Sequence, residues 1–217
     1  MTLTDRTQLH RRPQRGSREE ADVHAVLDAA FLAHVGFNMD GQPFVIPTLF
    51  GREGNTLYLH GSAASRMLRL LETGVAACVT VTLVDGLVLA RSAFRHSMNY
   101  RSAVVFGTAR KIEDPDRKSH ALSVVVEHLI RGRWADVRKP NEQELKATTV
   151  LEFRIEEASA KVRTGGPVDD EEDYSLPAWA GVLPLSIVPG TPVPDERLAA
   201  GIEIPQHVSR FKVAAAE

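Results

Sequence analysis

A short segment about a quarter of the way along the chain carries residue types that suit the binding of an anion. His60 ends an apolar stretch and Gly61 permits a sharp turn, and Ser62, Ser65 and Arg66 follow at the start of a helical pattern. The first N–H groups of a helix lack partners within it, serine hydroxyls add donors, and an arginine makes charge-assisted contacts with phosphate. The spacing indicates a binding site for one phosphate, although the same residues also suit an ordinary helix cap. His60 titrates near neutral pH and suits proton transfer.

A second polar cluster lies just before a strongly apolar stretch. It contains Arg95, His96, Asn99, Tyr100 and Arg101, and the apolar residues that follow are typical of a buried strand. On the residues alone, an exposed loop with charged side chains is the simpler interpretation of this cluster.

Several familiar catalytic patterns are absent from the sequence. It has no GxxxxGKS phosphate loop, no GxGxxG turn, no GxSxG elbow and no HExxH pair. His120 and His128 lie eight residues apart on a predicted helix, which is a weak indication of a metal site. Exposed surface positions are the preferred interpretation for both histidines.

Composition and charge narrow the class of protein further. A formal net charge of −2 and a pI near 6.5 argue against a nucleic-acid-binding protein, which needs a basic face. No apolar stretch approaches the length of about 18–20 residues that a membrane span requires. A single cysteine, Cys78, cannot close an internal disulfide, so we expect a cytoplasmic protein.

The pattern of elements predicts a mainly β protein with attached helices. A helix is predicted over 17–30, where Ser17 and Glu20 have the spacing of a capping box. Turn signals at Asp40-Gly41 and Asp85-Gly86 separate predicted strands. The predicted strands cover 31–38, 43–51, 56–60, 75–84, 87–93, 100–112 and 148–156. Consecutive strands joined by tight turns indicate an antiparallel sheet that closes into a barrel, and Gly107 within a strand suggests a bulge.

The chain divides into three parts by composition. The arginine-rich segment 1–16 is predicted to be a flexible leader, and 17–163 forms the barrel domain. Seven of the 12 prolines lie in 164–217, where helical and strand periodicity both fade. Apolar residues at 174–185 would be costly to leave in water. We therefore expect this C-terminal arm to pack on the barrel or on a partner subunit.

The order of these segments resembles that of a known family. A strand ending in YLHGS is followed by SR and a helix, then by VAACVTVTLVDGLVLARS and NYRSAVVFGTARKIED. Over about 20–160 this order resembles the pyridoxamine 5′-phosphate oxidase-like flavoproteins with the split-barrel fold, in the branch that includes nitroimidazole-resistance proteins. The motif WAGVLPL at 179–185 is similar to a subset of them.

The resemblance implies an antiparallel split β-barrel that forms a homodimer and holds flavin mononucleotide (FMN) at the interface between subunits. It places Ser65 and Arg66 at the phosphate, and His60 near the flavin ring, where it is the predicted catalytic residue. It also places Asn99, Tyr100, Arg101 and Ser102 along the site, and it leaves open which of the two subunits supplies them. The predicted cofactor-binding residues are Pro47, Thr48, Leu49, His60, Gly61, Ser62, Ser65, Arg66, Asn99, Tyr100, Arg101, Ser102 and Trp179.

The function expected from this resemblance is oxidoreduction of a small planar substrate by FMN, with a nicotinamide cofactor as a candidate electron donor. Two alternatives stay open: a flavin- or haem-binding protein without turnover, and a relative that uses the deazaflavin F420. The C-terminal region lacks the Arg-x-His element with which the vitamin B6 oxidases grip their substrate, so we expect no B6 activity. Arg95, Arg101 or Arg163 are the residues that could replace that element.

Overall fold

The strands of the protein pair into one antiparallel sheet, which a computed structural model describes for residues 5–8 and 11–213. Nine strands are found in this described part of the chain. They are β1 (Gly16–Ser17), β2 (Leu32–Met39), β3 (Gln42–Leu49), β4 (Gly51–Glu53), β5 (Thr56–Ser62), β6 (Ala77–Leu89), β7 (Ser97–Lys111), β8 (Thr148–Arg163) and β9 (Gly181–Pro184).

Helices connect and cover the strands. The α-helices are α1 (Glu20–Asp28), α2 (Arg66–Leu71), α3 (Pro115–Leu129), α4 (Arg133–Asp136), α5 (Glu142–Ala147) and α6 (Gln206–Ser209). Short 3-10 helices occur at Asp5–Thr7, Pro13–Arg15, Ala93–Arg95 and Glu171–Ser175. Within the described residues, no helix is both long enough and apolar enough to cross a bilayer.

The sheet is a barrel with one unpaired seam. Its strand order is β3-β2-β6-β7-β8-β5-β4, while β1 pairs with β8 and β9 with β6. β3 and β5 approach each other but do not pair through a ladder of hydrogen bonds, so the barrel is split between them. The predicted antiparallel split barrel with attached helices is confirmed.

The core fills the barrel from the side chains that alternate inward along each strand. Leu57 and Leu59 of β5, Val79 of β6 and Phe153 of β8 are fully buried there. A smaller cluster on the outside of β5 packs beneath α3. These two clusters fix both faces of β5, the strand that carries His60.

Several local predictions differ from the structure. β8 runs seven residues beyond the predicted strand 148–156, and His128, predicted to be exposed, is half-buried with its Nε2 2.8 Å from the Ala30 carbonyl oxygen. Asp85-Gly86 does not turn the chain, because β6 continues through it with a register shift between Val84 and Gly86. Such a bulge bends a strand without ending its pairing. Ser17 belongs to β1 instead of starting α1, and its hydroxyl accepts a hydrogen bond from the Glu19 N–H at 3.1 Å. The turn at Asp40-Gly41 is confirmed, with φ of 52° and 77°.

The terminal segments contact the barrel at several points. In the predicted leader, Thr7 is buried, Arg6 pairs with Glu157, and Gly16 lies opposite Lys161; residues 1–4, 9 and 10 are outside the described part. In the arm, β9 extends the sheet, and the buried Asp169 carboxylate binds the Arg91 side chain at 3.0 Å. The division of the chain at residues 16 and 163 stays a prediction.

Candidate functional site

The split between β3 and β5 is where several predicted residues meet. β4 pairs with β5 so that Gly51 lies opposite Tyr58. If this register is continued by two residues, Leu49 of β3 lies opposite His60 of β5, and the two strands do approach each other. Because no backbone ladder joins β3 to β5, the edges that face each other there are free to contact a ligand.

His60 lies on the outer side of β5, away from the barrel core. It is half-buried, and its neighbour across the ladder is Val150 of β8. Its Nδ1 atom is buried and has no hydrogen-bond partner in the described part of the chain. Burial lowers the pKa of His60, so its imidazole is neutral at pH 7. A neutral ring with a free nitrogen can exchange a proton with a ligand or bind a metal ion.

The residues predicted to bind phosphate lie in the turn between β5 and α2. The Ser65 hydroxyl accepts a hydrogen bond from the Leu68 N–H at 3.4 Å and caps α2, and the Ser62 hydroxyl accepts from the Ala64 N–H at 3.2 Å. Both hydroxyls thus act as helix-start acceptors and keep their own protons for a further bond. Gly61 gives Leu68 room, since an added Cβ would lie 3.2 Å from its Cδ1.

Arg66 is the cation of this turn. Its guanidinium lies over the Phe44 ring of β3, 5.3 Å from the centroid. None of the carboxylates that the structure describes forms an ion pair with it. The contact with Phe44 ties α2 to β3 across the split and leaves the charge of Arg66 available to an anion.

The β3 residues divide between the two faces of the sheet. Pro47 and Leu49 point outward and are exposed, whereas Thr48 points inward and is half-buried. The Thr48 hydroxyl donates to the backbone carbonyl of Leu49 at 3.2 Å. The outward pair offers an apolar edge beside His60.

The predicted segment Asn99–Ser102 does not join this group within one chain. Tyr100 lies opposite Arg163 on β8, whereas His60 lies opposite Val150 of the same strand. These two β8 residues are 13 positions apart, which is about 40 Å along a strand. His60 and Tyr100 therefore lie at opposite ends of the barrel.

The side chains of this distant segment have partners of their own. Arg101 binds Asp85 through two hydrogen bonds of 3.0 and 2.8 Å, which neutralise its charge. The Asn99 side-chain oxygen accepts from Arg163, and the Ser102 hydroxyl donates to the Lys161 carbonyl at 3.4 Å. The charge of Arg101 and the Asn99 side-chain oxygen are therefore already used within the chain.

Trp179 belongs to the same end as Asn99. It is 70% exposed, and its ring stacks so close to Gly181 that an added Cβ there would lie 2.9 Å from the indole. Gly181 begins β9, which pairs with the end of β6 where Gly86 lies opposite Asn99. Each predicted site residue is thus in one of two groups, one at each end of the barrel.

A residue outside the predicted set is the most unusual charge in the structure. Arg163 is only 6% exposed, and its Nε has no partner among the described residues. Its remaining hydrogen bonds go to Asn99 and to the carbonyls of Gly165 and Gly166, none of which carries a charge. The alternation of β8 indicates that Arg163 shares a face with Lys161, but nothing in the sequence indicates its burial.

An antiparallel split barrel with a helix-start turn at its unpaired seam defines a class of small ligand-binding barrels, and comparison with known proteins places the chain within it. The family model described as pyridoxamine 5′-phosphate oxidase matches residues 19–162. The chain belongs to this family, which confirms the resemblance seen in the sequence.

Solved structures extend the similarity to the arm. The flavocytochrome Anf3 from Azotobacter vinelandii is 44% identical, with a TM-score of 0.91, and the match covers 97% of this chain and 98% of that one. A FAD and haem binding protein from Mycobacterium smegmatis is 39% identical, with a TM-score of 0.85 and coverages of 89% and 95%. A candidate 5-nitroimidazole antibiotic resistance protein from Bacteroides thetaiotaomicron is 26% identical, with a TM-score of 0.58 and coverages of 68% and 86%. A search of curated protein sequences found no match.

Proposed function

We propose that the protein is a homodimeric, flavin-dependent oxidoreductase whose flavin lies along the split between β3 and β5. The observation that carries this proposal is the meeting, at one unpaired seam, of an apolar edge, a half-buried histidine whose Nδ1 has no partner in the described residues, and an arginine without an ion pair there. The flavin-binding relatives that match nearly the whole chain support the same cofactor class.

The residues at the seam fit a flavin nucleotide. Pro47 and Leu49 offer an apolar surface to one side of a flat ring, and Arg66 with the Ser65 hydroxyl offers donors to its phosphate. His60 is placed to accept or return a proton at Nδ1. The flavin itself supplies hydride or electron transfer when bound, and the chain binds it and orients the substrate.

A homodimer would unite the two groups of site residues. The chain exposes 13,676 Å², whereas a compact monomer of 23.8 kDa exposes about 9,900 Å². Large apolar side chains are exposed on the outer sheet face and the arm: Leu32, Val45, Leu49, Val84, Leu87, Trp179 and Leu183. A two-fold interface buries such a surface from both sides, and can set one end of a barrel against the opposite end of its partner.

The identity of the flavin is tested by extraction. We propose FMN, as the sequence resemblance implies, while the mycobacterial relative is described as binding FAD. Protein purified from cells is denatured, and the released flavin is identified by chromatography and mass. A visible spectrum without a flavin band, both as purified and after incubation with FMN, FAD or F420, would contradict the flavin proposal.

Turnover is tested separately from binding. Flavin-loaded protein is mixed with NADH or NADPH under anaerobic conditions, and bleaching of the flavin band is followed before an acceptor is added. Repeated cycles of reduction and reoxidation support an oxidoreductase. Stable binding without reduction by any nicotinamide donor favours a flavin carrier or sensor instead.

The proposed location is the cytoplasm, because Cys78 is a free thiol and a reducing compartment keeps thiols free.

Haem is a second candidate cofactor because the two relatives that also span the arm are described as a flavocytochrome and a haem-binding protein. Two histidines fit an iron ligand: the buried Nδ1 of His60 and the buried Nε2 of His207 lack partners in the described chain. His207 also has Asp136 3.5 Å from its other ring nitrogen, an arrangement that orients metal-binding histidines. A Soret band that one of the variants His60→Ala and His207→Ala abolishes would support haem and identify its ligand.

A further inference from the structure

Arg163 is a buried charge that lacks a counter-ion. The residue is 94% removed from solvent, yet no carboxylate within 5–8 and 11–213 forms an ion pair with its guanidinium. Burial, reinforced by the positive charge of Arg15, lowers the pKa of Arg163. Taking an arginine out of water is unfavourable unless an anion compensates its charge. Neutral carbonyls supply only part of that compensation.

The surroundings of Arg163 add donors on the same face of the sheet. Tyr100 lies directly opposite Arg163 across the ladder, and Ser102 lies directly opposite Lys161. Paired residues of an antiparallel ladder point to the same side, so two cations and two hydroxyls form one patch. Lys161 is half-buried and has no ion pair with any carboxylate that the structure describes.

The two backbone carbonyls that cover the Arg163 guanidinium are easily displaced. Its contacts to the Gly165 and Gly166 carbonyls are 3.3 and 3.2 Å long, toward the weak end of such bonds. Both glycines lie in open space, with no atom within 4 Å of an added Cβ. An anion can therefore replace these carbonyls at modest cost.

The other candidate arginines are already satisfied. Arg95 pairs with Asp170, and Arg101 pairs with Asp85 at 2.8 Å. Of the three arginines that could replace the missing Arg-x-His element, Arg163 alone has no ion pair within the described residues.

We propose that Arg163 and Lys161, with the hydroxyls of Tyr100 and Ser102, form a phosphate-binding site separate from the Arg66 turn of the same chain. The phosphate belongs either to the flavin nucleotide held by the partner subunit or to a second, phosphorylated ligand, and in both cases the proposal builds on the proposed function. Two cations and two hydroxyls match a doubly charged phosphate group better than a single carboxylate.

The first test uses flavin-free protein and inorganic phosphate. At constant ionic strength set with sodium chloride, phosphate should raise the Tm of the wild type in a saturable way, because a ligand that binds the native state stabilises it. Arg163→Gln and Lys161→Gln should weaken phosphate binding at least tenfold. Arg154→Gln, on an exposed position of the same strand, is the matched control and should respond like the wild type.

The second test distinguishes the source of the phosphate. If it belongs to the flavin, Arg163→Gln weakens FMN binding at least tenfold and leaves riboflavin binding unchanged. If it belongs to another molecule, FMN binding is unchanged, and phosphate binding to the flavin-loaded variant is lost. Either result supports the site.

A purely structural arginine gives a different result. The proposal is overturned if phosphate stabilises the wild type no more than sodium chloride does, or if the variants lower Tm while their response to phosphate is unchanged. Should Arg163→Gln fail to fold, Lys161→Gln decides the question. A protein that binds no flavin at all would remove the proposed function, but the phosphate titration of flavin-free protein would still test this site.

Discussion

At the scale of single residues, His60 is the side chain whose environment has the clearest electrostatic consequence. Because burial lowers the pKa of His60, the unfolded chain binds a proton at a higher pH than the native protein does. The contribution of neutral His60 to the free energy of unfolding is therefore fully present above the unfolded pKa of about 6.5. It is lost as pH decreases toward the folded pKa, by at most about 1.4 kcal/mol per pH unit.

The variant His60→Gln should remove this dependence. Urea unfolding at pH 7.0 and pH 5.5 should show a smaller loss of stability in the variant than in the wild type. His34→Gln, at an exposed position of β2, serves as the control and should lose stability as the wild type does. Equal losses in the wild type and in His60→Gln would show that His60 does not titrate on unfolding in this range.

A variant of Arg66 tests the predicted phosphate-binding turn at the seam. Replacing it with Ala removes a charge-assisted contact worth about 1.5–3 kcal/mol, so FMN should bind at least tenfold more weakly. Because Arg66 forms no ion pair in the described structure, the free energy of unfolding should fall only by the loss of its contact with Phe44, about 0.5–1 kcal/mol. Fluorescence titration with FMN measures the first quantity and urea unfolding the second. Unchanged FMN affinity would mean that the phosphate is bound elsewhere.

Sequence alternation was sufficient to predict which face of β5 carries His60. Leu57 and Leu59 are apolar and point into the core. His60 therefore points to the opposite face, because it follows Leu59 directly in the strand. The same reasoning could not predict the burial of Arg163. Its cover comes from the turn at Gly165 and Gly166, whose path depends on tertiary contacts that no local pattern records.

At the scale of elements, two similar dipeptides had different outcomes. Asp40-Gly41 turns the chain because both residues adopt positive φ between two strands that pair with each other. Asp85-Gly86 lies within one strand, since Asp85 is held by Arg101 of β7 and Gly86 pairs with β9 of the arm. The partner strands, which are distant in sequence, decide between a turn and a bulge.

Gly107 gives a testable consequence of the predicted bulge. Its register shifts against β8, and an added Cβ would lie 1.9 Å from the Arg154 carbonyl oxygen. Gly107→Ala should therefore force the β7–β8 pair apart and destabilise the protein by about 2–4 kcal/mol. Gly36→Ala in β2 is the control, because the nearest atom to its added Cβ is 3.6 Å away and the expected change is small.

The denaturant midpoint of each variant measures the difference between these two glycines. A Gly107→Ala variant as stable as Gly36→Ala would mean that the β7–β8 ladder can shift to make room at the bulge.

At the scale of the whole molecule, the sequence indicated both groups of predicted site residues but not the distance between them. The distance between His60 and Tyr100 follows from the registers of β5 and β7 against the long strand β8, and these registers cannot be read from composition or periodicity. A shared site consequently requires two chains. Light scattering at micromolar concentration should give twice the chain mass of 23.8 kDa, and a monomer would contradict both the dimer and the shared site.

A hybrid dimer tests the shared site directly. Arg66→Ala weakens the seam group, and Ser102→Trp blocks the distant group with a bulky ring, so each variant dimer should bind flavin poorly at both of its sites. Refolding the two variants together, with a different affinity tag on each, yields hybrids that can be purified. If each site combines the seam of one chain with the distant group of the other, one site of the hybrid contains two intact halves and the other contains both defects. The hybrid should then bind one flavin per dimer with wild-type affinity. If each site lies within a single chain, both subunits of the hybrid are defective, and no site of wild-type affinity will be found.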